Sequence, residues 1–374
     1  MKKLEKSRIN RLLPALCLLL ALAALLCLWQ TRRLGRSLDS QLAAERWQGE
    51  SETRFAQISC FVSVDHALSR EEIYAFRGTM LNQLKEAEPD EAARSGGWHD
   101  AWCAMGGVTA SGERGSAEAA VIAVGGGFFD FHPLRLLSGS YLREDDLTLD
   151  RVLLDEELAW RLFGGTELAG MELQLNGQRF SIAGVVEREK DAASRAAYTD
   201  GPGLYMSYEA YEALAGSGGV CCYELLLPEP VQGWALSLAR EKFPLGGGEA
   251  IQNSERFGLP RLLALRGSMD ARTMQSRGLR YPYWENAARL VENRCLRLLT
   301  AALLLGLLPL CALLFWLFLL LRRLWRSVRD SYLPRGKDKA AEAIRRAQRR
   351  RWEKRHFRHA PSDASSDAKS EGEL

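Results

Sequence analysis

The chain has 374 residues, 47% of them hydrophobic and 26% charged, with 50 basic against 47 acidic side chains and a formal net charge of +3. So balanced a total gives no ground for nucleic acid as a partner. The balance conceals a segregation, because the basic excess sits at the two ends while most of the acids lie between them.

The first apolar run, Leu12 to Trp29, follows Lys2, Lys3, Lys6, Arg8 and Arg11. Its eighteen uncharged residues span roughly 27 Å at about 1.5 Å per residue, close to the thickness of a hydrocarbon core. A cleaved signal peptide is the alternative, but such a peptide ends in small residues, whereas this run ends Leu-Cys-Leu-Trp-Gln-Thr-Arg-Arg. An uncleaved anchor is the reading taken. After it, Leu34, Leu38, Leu42 and Trp47 keep helical spacing and predict a stalk.

Ile58 to Val64 reads as a strand. Ser69 with Glu72 three residues on reads as a capping box opening a helix whose buried stripe is Ile73, Phe76, Met80 and Leu84. Strands are predicted at Trp102 to Thr109 and Ala119 to Val124. Gly125-Gly126-Gly127 lacks the following helix and the lysine of a phosphate cradle, because Phe128-Phe129-Asp130-Phe131-His132-Pro133 cannot open such a helix; a tight turn or bulge is the reading.

Val152-Leu153-Leu154 predicts a short strand, and Asp155 caps a helix that Gly164-Gly165 stops. Met171, Leu173 and Leu175 then alternate with polar residues, and Asn176-Gly177 turns the chain into Phe180, Ile182 and Gly184-Val185-Val186. An Asn-Gly pair between alternating strands signals a hairpin, since both residues tolerate positive φ. A strand and helix over Leu204 to Leu214, a strand over Cys222 to Leu227 and a helix over Trp234 to Phe243 complete an α+β outer domain.

Phe257, Leu259, Leu262, Leu263 and Leu265 predict an amphipathic helix. Tyr281, Tyr283 and Trp284 precede the second apolar run, Leu298 to Leu321, whose twenty-four residues reach roughly 36 Å. The three rings suit an aromatic interfacial belt; the sharper expectation is that they couple the outer domain to helix motion. Arg322, Arg323, Arg326, Arg329, Arg335, Lys337 and Lys339 follow, and the excess of basic residues there predicts cytoplasmic termini and an outer domain beyond the membrane. Arg345, Arg346, Arg349, Arg350 and Arg351 are candidates for contact with anionic lipid or a protein partner.

The expected organisation is therefore a cytoplasmic N-terminus (1–11), a membrane helix (12–29), a stalk (30–57), an outer core domain (58–250), a juxtamembrane segment (251–297), a second membrane helix (298–321) and a basic tail (322–374). The end of that tail, Pro361 to Leu374, is rich in Ser, Asp and Glu and is expected to be disordered. Among the cysteines, Cys60, Cys103, Cys221 and Cys222 fall in the outer domain. A bond between one of the first two and one of the adjacent pair is one reading, and buried free thiols are the other.

No G-x-x-x-x-G-K-[ST], H-E-x-x-H or G-x-S-x-G occurs, and His66, His99 and His132 are too scattered for a zinc site. Asp145-Asp146 and Asp155-Glu156-Glu157 sit in a turn and at a helix start, where solvation and capping explain them. No catalytic, metal or cofactor-binding constellation is read, and the chain is not expected to be an enzyme.

Leu137-Ser138-Gly139-Ser140-Tyr141-Leu142, then Val152 to Gly164, then Leu175-Asn176-Gly177 to Gly184-Val185-Val186, in that order, resembles the extracytoplasmic core domain of MacB-type ABC transporter permeases. The resemblance implies a porter-like α/β lobe and a smaller, mainly β lobe between two transmembrane helices in a bacterial cell membrane. It also implies a separate cytoplasmic ABC ATPase and a further permease subunit or a second copy of the chain, with the outer domain passing motion to a substrate or partner. The usual permease has three helices after this domain where one apolar run is read here. A stand-alone two-helix sensor or scaffold is the alternative.

Overall fold

The computed structural model describes residues 2–50, 53–87, 97–216, 219–267, 278–331 and 333–356. Helix α1 (Lys2–Gly35) leads to α2 (Ala43–Gln48), β1 (Phe55–Phe61), α3 (Arg70–Ala87), the long strands β2 (His99–Gly112) and β3 (Gly115–Gly126), and a single helical turn α4 (Phe128–Phe131). Next come β4 (Leu136–Gly139), β5 (Arg151–Asp155), α5 (Glu156–Leu162), β6 (Glu172–Leu175), β7 (Gln178–Val186), α6 (Ala192–Ala197), β8 (Gly203–Ser207) and α7 (Tyr208–Ala215). The chain closes with β9 (Cys222–Pro228), α8 (Trp234–Lys242), β10 (Glu249–Gln252), α9 (Leu259–Ala264), α10 (Tyr283–Ser331) and α11 (Leu333–His356).

Two compact units result, one of Leu22–Leu304 and one of Met1–Ala21 with Leu305–Leu374. In the first, ten strands form one sheet in the order β10-β1-β9-β2-β3-β8-β5-β7-β4, with β6 pairing β2 and β7 off that path. The α+β class is as the sequence read. The two lobes that the resemblance implied form one continuous sheet over a shared core, in which β3 pairs with β8 in parallel, β2 with β6 antiparallel, and α5 packs on β3 as well as on β5.

All seven residues of β1 are buried, so that strand does not alternate, for a physical reason. Ile58 and Cys60 pack with Ile73, Phe76 and Met80 of α3 on one face, while Phe55 and Phe61 pack with Tyr281 and Trp284 on the other. A strand covered on both sides reads as an apolar run.

Local signals landed where the chemistry is local. Ser69 Oγ accepts from the Glu72 amide at 3.3 Å while Glu72 Oε2 accepts from the Ser69 amide at 2.9 Å. Ser69→Ala is expected to cost about 1 kcal/mol, read as a lower thermal midpoint of the purified protein; an unchanged midpoint would show that the cap carries no stability. Ile73, Phe76 and Met80 are buried as expected, whereas Leu84 lies outside the described side chains. Asp155 Oδ1 accepts from the Leu158 amide at 2.7 Å, and Asn176 and Gly177 adopt φ of 48° and 84° in the β6–β7 hairpin.

Three expectations need correction. The stalk is not a free continuation of α1, because Leu38, Ser40, Gln41, Ala43 and Ala44 are buried and Gln57 of β1 bonds Ala43 and Ser40 at 3.0 and 2.7 Å. The helix expected from Phe257 onward is the short α9 and a 3-10 turn, Leu265–Gly267, and residues 268–277 lie outside the described ones. The three glycines are not a turn by themselves, because Gly125 and Gly126 end β3 opposite Trp102 and Ala101 of β2, and Gly126 at φ 63° leads through Gly127 into the single helical turn α4. A Cβ at Gly125 would lie 2.2 Å from the Trp102 indole, so close ring packing explains that glycine without a phosphate.

Among the described residues, two helices are long and apolar enough to cross a membrane, over Leu13–Gly35 and Tyr283–Arg329. Along α10, Leu304, Phe315 and Trp316 are 70%, 61% and 71% exposed, an apolar surface that a core helix would bury. These helices fit a membrane protein with an extracytoplasmic domain. The expected disorder of Pro361 to Leu374 falls outside the described residues.

Candidate coupling site at the start of the second membrane helix

Helix α10 begins directly after Pro282, whose carbonyl accepts from the Glu285 and Asn286 amides at 3.1 Å each. Trp284, Ala287, Ala288, Val291, Cys295 and Leu299 recur at helical spacing and are all buried in the outer domain's second core. The Cys295 thiol donates to the Thr31 carbonyl of α1 at 3.6 Å. Glu285, Arg289 and Glu292 repeat at four and three residues on a neighbouring stripe, so their side chains share one side of the helix.

That stripe meets Arg256, which is 0% exposed. Its guanidinium donates to Glu285 at 2.6 and 2.8 Å, to Glu292 at 2.8 and 3.3 Å and to Gln41 Oε1 at 3.2 Å. Arg289 donates to Glu285 at 2.6 Å and also to Glu249 of β10, while the Tyr281 hydroxyl donates to Glu249 at 2.7 Å. The Arg289 guanidinium lies 3.8 Å from the Tyr281 ring centroid. Burial penalises the charge of Arg256, but Glu285 and Glu292 overcome that penalty and hold its pKa above the ordinary arginine value.

This cluster joins four parts of the chain: the segment after α1, β10, the loop that follows it and α10. A buried pair is weak as a source of net stability but exacting about geometry, since a slip of one helical turn would strand charges in a low-dielectric core. The fork of an arginine, which bonds two carboxylates at fixed angles, suits that role better than a lysine would.

The three rings singled out in the sequence are here, but not as an interfacial belt. Tyr281, Tyr283 and Trp284 are 5%, 9% and 2% exposed, because the domain rather than lipid covers them. Tyr281 packs edge-on to Phe61 at 5.1 Å, and Tyr283 stacks on Tyr198 at 4.2 Å. Trp284 lies 4.2 Å from the His132 ring and 5.5 Å from Phe128. The Tyr283 hydroxyl donates to Glu189 at 2.9 Å, and burial pushes the Glu189 carboxyl above its ordinary range. Behind Trp284, His132 pairs with Glu224, which accepts from Ser59 at 2.6 Å.

Other sequence candidates lie elsewhere. Arg345, Arg346, Arg349, Arg350 and Arg351 are exposed on α11, with Arg346 paired to Glu342 at 2.8 Å and Arg349 to Glu353 at 3.5 Å. Cys60, Cys103, Cys221 and Cys222 are buried free thiols, not a disulfide. Cys103 opposes Cys222 across β2 and β9, while Cys221 donates to the Cys103 carbonyl at 3.5 Å. Burial pushes the Cys222 thiol up to about 12.

Arg256, Glu249 and Gln41 escaped the sequence reading. Half the signal was present, in charged residues spaced four and three apart just before an apolar run. The other half was not, because nothing local announces that Arg256 is buried.

Residues 56–227 match the family model of the MacB-like periplasmic core domain. The sheet domain is thus similar to the MacB-like periplasmic core domain over that stretch. Among solved structures, the extracellular domain of the noncanonic ABC-type transporter YknZ from Gram-positive bacteria is 15% identical with a TM-score of 0.37, over 53% of this chain and 99% of that one. The periplasmic region of MacB from Actinobacillus actinomycetemcomitans is also 15% identical at a TM-score of 0.37, over 56% and 94%. A domain of a putative permease protein from Porphyromonas gingivalis is 14% identical at 0.31, over 57% and 97%. No curated protein matches.

Proposed function

We propose that this chain is a membrane-anchored, non-catalytic subunit of an ABC-type export or mechanotransmission assembly. In this reading both termini are cytoplasmic, the outer domain engages a substrate or partner, and ATP hydrolysis comes from a separate cytoplasmic ABC subunit, alongside a further permease subunit or a second copy of this chain. The observation that carries it is a MacB-like core domain bonded through a buried ionic cluster to the outer turns of an apolar helix. A shift of that helix relative to the bilayer would then move β10 and the segment after α1 instead of dissipating in a loose linker. The arginines of α11 serve anionic lipid, each worth about 1 kcal/mol near the surface.

The test is purification of the full-length protein from its native membrane in mild detergent at low salt, followed by identification of what accompanies it. A stoichiometric nucleotide-binding subunit is the expected result. Repeated preparations without any ATPase would overturn the reading in favour of a stand-alone sensor or scaffold.

A further inference from the structure

Both apolar helices leave the outer domain at one level. The Cys295 thiol of α10 donates to the Thr31 carbonyl of α1 at 3.6 Å, just past Trp29, which is 56% exposed with the Arg33 guanidinium 5.5 Å from its ring centroid. An exposed indole with an arginine beside it marks the depth at which hydrocarbon gives way to headgroups.

The segment after β10 reaches the same level. Arg256 holds it to Glu292 of α10, and Phe257 lies so close to Gly35 of α1 that a Cβ on the glycine would stand 2.9 Å from the phenylalanine Cβ. Gly35 is about 9 Å along the helix from Trp29, roughly the thickness of a headgroup layer.

Helix α9 starts from this anchored segment. Leu262 is 1% exposed and joins the second core. Leu259 and Leu263, one turn apart and so on one side of the helix, are 55% and 43% exposed. Single exposed leucines are ordinary on a soluble surface, but this pair stands where two apolar helices emerge and lipid is within reach.

The charge around them has one sign. Arg32, Arg33 and Arg36 of α1, Arg261 of α9, and Arg294 and Arg297 of α10 are exposed, and none of them meets a carboxylate among the described residues. The neighbouring acids are engaged. Glu285 and Glu292 bond Arg256, Glu255 bonds Arg54 at 2.6 Å and Gln232 at 2.8 Å, and Asp39 lies beside Arg46. In the proposed orientation, arginines on this side of a span run against the bias toward basic cytoplasmic flanks, so topology does not account for them.

We infer that α9 and this collar of arginines dock on the bilayer surface from the domain's side. Leu259 and Leu263 enter the boundary between headgroups and acyl chains, and the guanidiniums bind the phosphates of anionic phospholipids. Lipid charge would then act on the joint between β10 and α10, through the segment that Arg256 anchors. The inference goes beyond the proposed function and needs no ATPase, so either can fail alone.

Photo-cross-linking tests it. Leu263→p-benzoylphenylalanine is made in the full-length protein, which is placed in nanodiscs of equimolar phosphatidylglycerol and phosphatidylcholine, irradiated and weighed intact by mass spectrometry. Phospholipid adducts are expected, with phosphatidylglycerol over phosphatidylcholine by about fivefold. Arg32→Gln together with Arg36→Gln should bring that ratio to about twofold or less and leave the total adduct unchanged, because the leucines still insert. Should this double variant fail to fold, about 0.5 M salt replaces it, since screening shrinks the ratio in the same way. The same cross-linker at Leu147, which is 100% exposed in the loop before β5, should take up no lipid. Adducts no more frequent at 263 than at 147, a ratio near one or one that neither change moves, or a cross-link from 263 to protein in place of lipid would overturn the inference.

Discussion

Arg256→Ala is expected to lower the stability of the outer domain by about 3–5 kcal/mol, because it takes from the buried carboxylates of Glu285 and Glu292 the guanidinium that bonds both, and Arg289 reaches only Glu285 of the two. For a domain of this size that corresponds to a thermal midpoint about 6–20 °C lower. Circular dichroism of the detergent-solubilised protein measures it. Arg256→Lys should recover only part of the loss, since an ammonium cannot bond both carboxylates and Gln41 Oε1 at the observed 2.6 to 3.3 Å with one planar fork. Replacing Arg256 with Met and both glutamates with Leu should restore most of the stability, as apolar replacements of buried ion clusters often do. That triple variant separates the two roles of the cluster: if stability returns while ATPase coupling in a purified assembly does not, the charges serve positioning.

Trp284→Ala is the second large effect, with an expected cost of about 3–5 kcal/mol for emptying the space of a fully buried indole. The ring is 2% exposed and lies among His132, Phe128 and Tyr283, so its removal empties a space enclosed by other rings. Trp284→Phe should be far milder. The indole N–H has no acceptor among the described residues, so phenylalanine removes volume without breaking a hydrogen bond. Equal losses for Ala and Phe in a thermal melt would mean that the indole nitrogen, not packing, is what matters there.

Both effects concern a site that the sequence disclosed unevenly. Signals made by neighbours were legible, as in the Ser69–Glu72 box, the Asp155 cap and the Asn176-Gly177 turn, since each is satisfied within four residues. The rings before the apolar run were legible as residues but not as buried ones. Interface aromatics and core aromatics have the same composition, and only the docking of α10 on the second face of the sheet separates them. Arg256 was hidden for a stronger reason, because its partners Gln41, Glu285 and Glu292 are 215, 29 and 36 residues away. The shared sheet was equally remote, because the parallel β3–β8 pairing joins residues as distant in the chain as Ala120 and Gly203.

The claim that the outer domain and the outer turns of α10 form one mechanical unit is tested most directly by hydrogen exchange of the full-length protein in nanodiscs, followed over residues 285–297 together with β1 and β9. The account requires these amides to open in a single cooperative step with a common free energy, which Arg256→Ala lowers for all three segments alike. Exchange of the helical turns by a separate, easier opening that leaves β1 and β9 protected would contradict it.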